Sequence, residues 1–130
     1  MKFAYTIIYV PEVAASLDFF EKAFGFTRRF LHESGMYGEL NTGETTLAFA
    51  AHAMGEMNFP GGHVAAHDSA KPLGMEVAFV ADDVAAAHAR AIQAGALEFA
   101  APTEKPWGQL VSYVRCPDGT LVELCTAMGA

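Results

Sequence analysis

The chain says nearly the same thing twice. VPEVAAS, carrying Val13, aligns with ADDVAAA, carrying Val84, and Phe24-Gly25-Phe26 aligns with Ala94-Gly95-Ala96-Leu97. The offset is about 70 residues with one slip, and the self-match runs over about fifty, a stronger constraint on the fold than any short motif. In the first copy, Phe3 to Val10 (FAYTIIYV) is β-branched and aromatic and stops at Pro11, which reads as a strand. Val13, Leu17, Phe20 and Phe24 then recur at helical spacing up to Gly25. Three strand-like pieces follow, Phe26 to His32, Met36 to Leu40 and Thr45 to Ala50, separated by Ser34-Gly35 and Asn41-Thr42-Gly43. The second copy gives a strand over Met75 to Val80, a helix over Val84 to Gln93 capped by Asp82 or Asp83 and stopped at Gly95, then strands over Leu97 to Ala100, Leu110 to Arg115 and Leu121 to Thr126. Cys116-Pro117-Asp118-Gly119 is the turn before the last strand.

Two βαβββ units, each with one helix for four strands, define an α+β chain whose sheets have one face covered and one bare. A bare face curls, and two of them make a cup. Period two assigns the walls: Val122 and Leu124, like Val77 and Phe79, suit the helix side. That turns Leu121, Glu123 and Cys125, together with Glu76, Ala78 and Val80, toward the cup, and by the repeat Tyr5, Ile7 and Tyr9 as well. With 130 residues, 52% of them hydrophobic and 18% charged, the chain suits one folded domain over 1–130: repeat one about 1–52, a loop about 53–73, and repeat two about 74–126.

Eight basic against fifteen acidic residues give a net charge of −7, which repels nucleic acid and anionic membranes. No apolar run is long enough for a membrane span, and the opening MKFAYTIIYVPEV does not read as a secretory leader, so the expected location is the cytoplasm. Cys116 and Cys125 are expected to be reduced thiols.

YTIIYVPEVAASLDFFEKAFGF, MEVAFVADDVAAAHARAIQAGA and PWGQLVSYVRCPDGTLVELC resemble the vicinal oxygen chelate superfamily, which includes glyoxalase I, bleomycin resistance proteins and extradiol dioxygenases. The resemblance implies a cup of two βαβββ repeats and, in metal-using members, ligands from the first, fourth, fifth and eighth strands. Those positions fall here on Tyr5, on Ala48 or Leu47, on Glu76 and on Glu123. Only Glu123 matches the common pattern, so no metal ligands are assigned and no cofactor is expected; a divalent ion stays as the lesser alternative.

Glu76 and Glu123 are carboxylates on otherwise apolar strands; facing inward together, they would hold one pKa up and permit proton transfer without metal. The alternative is that they reach solvent at the rim. Trp107 and Gln109, with Tyr113, offer flat aromatic surface and an amide, and Tyr5 and Tyr9 add to it, though each also suits plain packing. The ligand-binding candidates are therefore Tyr5, Tyr9, Glu76, Trp107, Gln109 and Glu123, and the catalytic ones, for an enzyme, Glu76 and Glu123. His63 and His67 stand four apart, but Pro60-Gly61-Gly62 opposes a helix there, and a flexible lid containing Met54, Met57 and Phe59 fits better. His32, His52 and His88 read as isolated, with no carboxylate or nucleophile placed beside His88.

The function these features favour is metal-independent sequestration of a small aromatic or cationic organic molecule, by a homodimer, with no nucleic acid or membrane partner. The alternative is a glyoxalase-like lyase or isomerase acting through Glu123 and Glu76, and a third is a regulatory subunit whose cup is merely core. A ligand whose affinity depends on the glutamates separates the first two from the third.

Overall fold

A computed structural model describes residues 1–129. Its elements run β1 (Tyr5–Val10), α1 (Val13–Phe24), β2 (Thr27–Leu31), β3 (Tyr37–Asn41), β4 (Thr46–Ala51), α2 (His52–Asn58), β5 (Val77–Val80), α3 (Val84–Ala94), β6 (Leu97–Glu104), β7 (Leu110–Arg115) and β8 (Leu121–Cys125). The strands form two four-stranded sheets of identical topology, β1-β4-β3-β2 and β5-β8-β7-β6, the first pair in each parallel and the others antiparallel. The two βαβββ repeats are thus real, with Val13 and Val84 opening equivalent helices.

Each helix forms because one stripe of it has somewhere to go. Val13, Leu17 and Phe20 of α1 are buried, and Val84, His88 and Ala91 are the corresponding stripe of α3. Gly25 ends α1 in the left-handed region at φ 80°, where a side chain would be strained, and its N–H bonds to the Glu21 carbonyl. Asp83, not Asp82, caps α3, accepting from the Ala86 N–H at 3.0 Å. The halves are joined by aromatic packing: Phe79 of β5 lies 5.2 Å from Phe24, 4.8 Å from Phe26 and 6.3 Å from Phe20. Arg90 of α3 adds a bond from Nε to the Lys22 carbonyl, 2.9 Å away, at the open end of α1.

Three sequence expectations need adjusting. β1 begins at Tyr5, not Phe3, because its ladder with β4 starts at Tyr5 opposite Thr46, which leaves Phe3 exposed. β6 continues past Ala100 to Glu104, pairing Glu104 with Leu110 across two register shifts that let an irregular edge strand stay attached. The segment expected as loop contains α2 and one 3-10 turn, Ala66–Asp68. α2 escaped notice because it has no capping side chain and a glycine at its centre. No helix among the described residues is long and apolar enough to cross a membrane.

Candidate functional site

The alternation read from sequence places the sides correctly in most strands: Val10, Val122 and Leu124 are buried toward the helices, whereas Tyr5 is 53% exposed and Ile7 44%. Cys125 departs from this, since it is buried although it shares a face with Glu123. Tyr5, the first residue of β1, and Glu76, the residue just before β5, hold equivalent positions, and Ala48 opposite Ile7 is the equivalent of Glu123 opposite Ala78.

On the second half the bare face carries an acidic cluster. Tyr113 sits opposite Glu123 in the β7–β8 ladder and donates its hydroxyl to Glu123 Oε1 at 2.8 Å. Glu76 in turn stands close enough to Glu123 for the two carboxyl groups to interact. Loss of water, then that interaction and the Glu123 charge, hold the Glu76 carboxyl above its ordinary value. The same order of causes pushes the Tyr113 phenol up to about 12. Among the described residues no Lys, Arg or His forms an ion pair with either glutamate. The inward reading of the two carboxylates therefore describes Glu123, which is half-buried, better than Glu76, which stays exposed while reaching Glu123.

Beside Glu76 lies a cavity of about 380 Å³ between the two halves, lined by Ile7 and Tyr9 of β1, by Leu73, Met75 and Glu76, and by Leu121 of β8. Its walls are chiefly apolar, with Glu76 at one lip and His63 at another. A larger and more open cleft, about 470 Å³, borders Thr6, Thr46 and Phe79 and has Glu76 as its one titratable lining group. Both openings meet at Glu76.

The six ligand-binding candidates are not brought together. Glu76, Glu123 and Tyr9 lie around or next to the smaller cavity, whereas Trp107 is at the β6–β7 turn, 61% exposed, near the other end of β8. Its Nε1–H donates to Gln109 Oε1 at 2.7 Å, and Gln109 Nε2 donates to the Thr126 carbonyl at 2.8 Å. The Gln109 amide is thus committed to holding the turn. Tyr5 is open on the face of the first sheet, and Tyr9 packs under Phe59 and His63 at ring distances of 6.0 and 4.7 Å.

Three groupings were missed. On the first sheet Glu39 is buried and accepts from Tyr37 Oη at 2.7 Å and Arg29 Nη1 at 3.4 Å; burial and Glu39 raise the Tyr37 phenol strongly. Period two along Tyr37-Gly38-Glu39 would have put both on one face. His52 is not isolated: its Nδ1 lies 2.7 Å from His63 Nε2, and its ring is 5.3 Å from that of His67. Nor is His88 without partners, since Nδ1 meets Ser112 Oγ at 3.0 Å and Nε2 meets Glu98 Oε2 at 2.7 Å. Ser112 is wholly buried on the helix side, so this triad ties α3 to β6 and β7 and offers no nucleophile. Both cysteines are free and buried, and desolvation pushes their thiols up, away from nucleophilic use.

A family model for the Glyoxalase/Bleomycin resistance protein/Dioxygenase superfamily matches residues 2–124, and the chain belongs to that superfamily. Its fold is shared with a glyoxalase-related enzyme from Fulvimarina pelagi, at TM-score 0.82 and 22% identity over 98% of this chain and 88% of that one. It is shared likewise with a glyoxalase/bleomycin resistance protein/dioxygenase family enzyme from Burkholderia phytofirmans PsJN, at 0.80 and 22% over 98% and 100%. TioX from Micromonospora sp. ML1 is similar at 0.71 and 19% over 97% and 98%. No curated protein sequence matches the chain.

The metal that many members of such a fold use does not fit the residues present. Ala48 is buried and has no donor atom, Tyr5 offers a phenol where a metal site would take an imidazole or carboxylate, and Glu123 is already engaged by Tyr113. Among the described residues no group of three or more His, Cys, Asp or Glu is arranged to hold an ion.

Proposed function

We propose that this chain binds a small aromatic or cationic organic molecule in the cavity between its halves, without a metal, and sequesters it. One observation carries the reading: an acidic pair, Glu76 and Glu123, has no cationic partner among the described residues, and its Glu76 lines an apolar cavity. A ligand with an apolar body and a positive or hydrogen-bond-donating end satisfies both requirements, because the walls desolvate the body and the carboxylates take the end. Tyr9 supplies a ring face, and Tyr113 keeps Glu123 oriented.

The decisive experiment is calorimetric titration with planar aromatic amines and their neutral isosteres. In Glu76→Gln and Glu123→Gln the amines should lose about tenfold in affinity and the isosteres little, the size of one desolvated charge contact. Amines indifferent to both changes would remove the reading.

A proton-transferring lyase or isomerase is the second reading, favoured by the raised Glu76 carboxyl beside Glu123: such a pair can hold one proton at a pH where a lone glutamate would have lost it. Turnover of an α-hydroxycarbonyl or thiohemiacetal substrate that disappears in Glu123→Gln would establish it over sequestration.

The bare faces also support a homodimer. Tyr5, Ile7, Val80, Leu97 and Phe99 are exposed on the strands, an apolar area that a second copy would cover. Light scattering at micromolar concentration should give twice the 13.9 kDa chain mass.

A further inference from the structure

We propose that residues 59–74 form a lid on the cavity, latched by the neutral imidazole pair His52–His63 and released when that pair takes up a proton. The lid role rests on the cavity being the ligand site; the latch does not.

The segment crosses between the halves and is fixed at two places. Toward its C-terminal end, Arg115 of β7 donates from Nη2 to the carbonyls of Ala66 and Ser69, both at 2.8 Å, and Gly119 comes so close that a Cβ there would lie 2.4 Å from the Ala66 carbonyl. That end is held by a guanidinium and by backbone contact, neither of which changes near neutral pH. Toward the N-terminal end the fastening is one backbone bond, from the Phe59 N–H to the Gly55 carbonyl at 3.1 Å, and beyond it the stack around His63. The His63 ring lies 5.0 Å from His52, 4.7 Å from Tyr9 and 5.9 Å from Phe59, over Gly55, where a Cβ would be 2.9 Å from the ring. Between the fastenings, His63, Val64 and Ala66 line the cavity.

The hydrogen-bond inventory makes this stack a one-proton device. His52 Nδ1 and His63 Nε2 are 2.7 Å apart, so a single hydrogen lies between them. His52 Nε2 is buried and has no partner, which favours the tautomer with a lone pair there and Nδ1–H donating to His63. A proton added to His52 creates an N–H at Nε2 with nothing to accept it. A proton added to His63 sets two donors face to face, unless His52 moves its own hydrogen to the same orphaned Nε2. Either way the added charge breaks or strands a hydrogen bond, and opening the lid relieves it by admitting water.

The surrounding charges do not cancel this. The loss of water is the largest influence on His52, and His63 and His67 add to it, while Asp68 of the 3-10 turn and Glu56 of α2 favour the charged form more weakly, so that His52 is held below the ordinary histidine value of 6.5. Asp68 is partly occupied by His67, whose Nε2 is 3.1 Å from its carboxylate. Tyr9 adds ring contact. With the folded value depressed, the latch contributes fully above pH 6.5 and loses its contribution as pH falls through the depressed value.

Hydrogen exchange followed by mass spectrometry on the full chain, corrected for intrinsic rates, tests the latch at about pH 7.5 and about pH 5.5. Protection of the Phe59 amide, whose N–H donates to the Gly55 carbonyl, should fall about tenfold at the lower pH, while β7 and β8 serve as the unchanged reference. In His63→Phe, which keeps a ring against Tyr9 and Phe59, protection should become independent of pH. Equal protection of the wild type at both pH values, or an unchanged pH response in His63→Phe, would overturn the latch. Nile red, a neutral probe, tests the lid separately: it should dissociate faster at the lower pH from the wild type and not from His63→Phe. If it fails to bind at either pH while exchange still switches, the cavity reading and the lid fall and the latch stands.

Discussion

The two halves of the chain have the same four-strand plan and treat charge on their bare faces in opposite ways. In the first half the carboxylate of Glu39 is buried, flanked by Tyr37 and met by the Arg29 guanidinium. In the second, Glu76 and Glu123 face each other with a tyrosine and, among the described residues, no cation. One half is electrostatically closed on itself; the other has charge to offer. Duplicated scaffolds allow this division, because a sheet that is already satisfied can supply stability while its twin tolerates the repulsion a ligand would relieve.

The division can be broken most severely by giving the first half the residue of the second. Ala48→Glu puts a carboxylate at a fully buried position opposite Ile7 and beside Glu39, and denaturant unfolding should show a loss of more than about 3 kcal/mol, if the protein folds at all. Removing the cation that closes the first half is milder. Arg29→Met should cost about 1–2 kcal/mol, since it leaves Glu39 buried with only the Tyr37 hydroxyl. The second half should respond with the opposite sign. Glu76→Gln retains the shape and removes the like charge, so the unfolding free energy should rise at neutral pH, by less than about 1 kcal/mol because Glu76 is exposed.

The sign of that last effect depends on pH. The fold favours protonated Glu76, a contribution complete below the ordinary value of 4.5 and lost as pH rises through the raised one. The gain from Glu76→Gln should therefore vanish toward pH 4.5 and grow above it. Smallest of all is a spectroscopic change: in Glu123→Gln, ultraviolet titration should find the Tyr113 phenolate forming below the value of about 12 it has beside the carboxylate, with stability little altered.

What the sequence made legible was whatever depends on spacing within one element. Val122 and Leu124 against Leu121 and Glu123, Val13 through Phe20 on one stripe, and the stop at Gly25 all follow from periods of 2 and 3.6 residues and from one turn residue. The carboxylates of the second half were legible for the same reason. Their engagement was not: Tyr113 meets Glu123 only because the turn after Cys116 sets the β7–β8 register, and periodicity carries no information about register between strands. The histidines are a harder case. His52 and His63 are eleven residues apart across a helix and a glycine-rich bend, so no pattern along the chain pairs them. Glu98 was likewise hidden from His88, since a helix and a turn intervene and a strand bulge decides which way Glu98 points.

The Arg115 fastening sets an order of assembly. Its carbonyl partners lie 45 to 49 residues earlier in the chain, and the side chain is in place only once β7 has joined β8. A chain emerging from the ribosome can complete the first sheet and α2 well before that, so the connector must wait, unseated, until the final hairpin closes. Contacts of such long sequence separation form late, and Arg115→Ala should speed unfolding while leaving the refolding rate nearly unchanged in a stopped-flow chevron. A slower refolding rate would place the connector in the folding nucleus instead, and make the link between the halves a first step of folding where the geometry makes it the last.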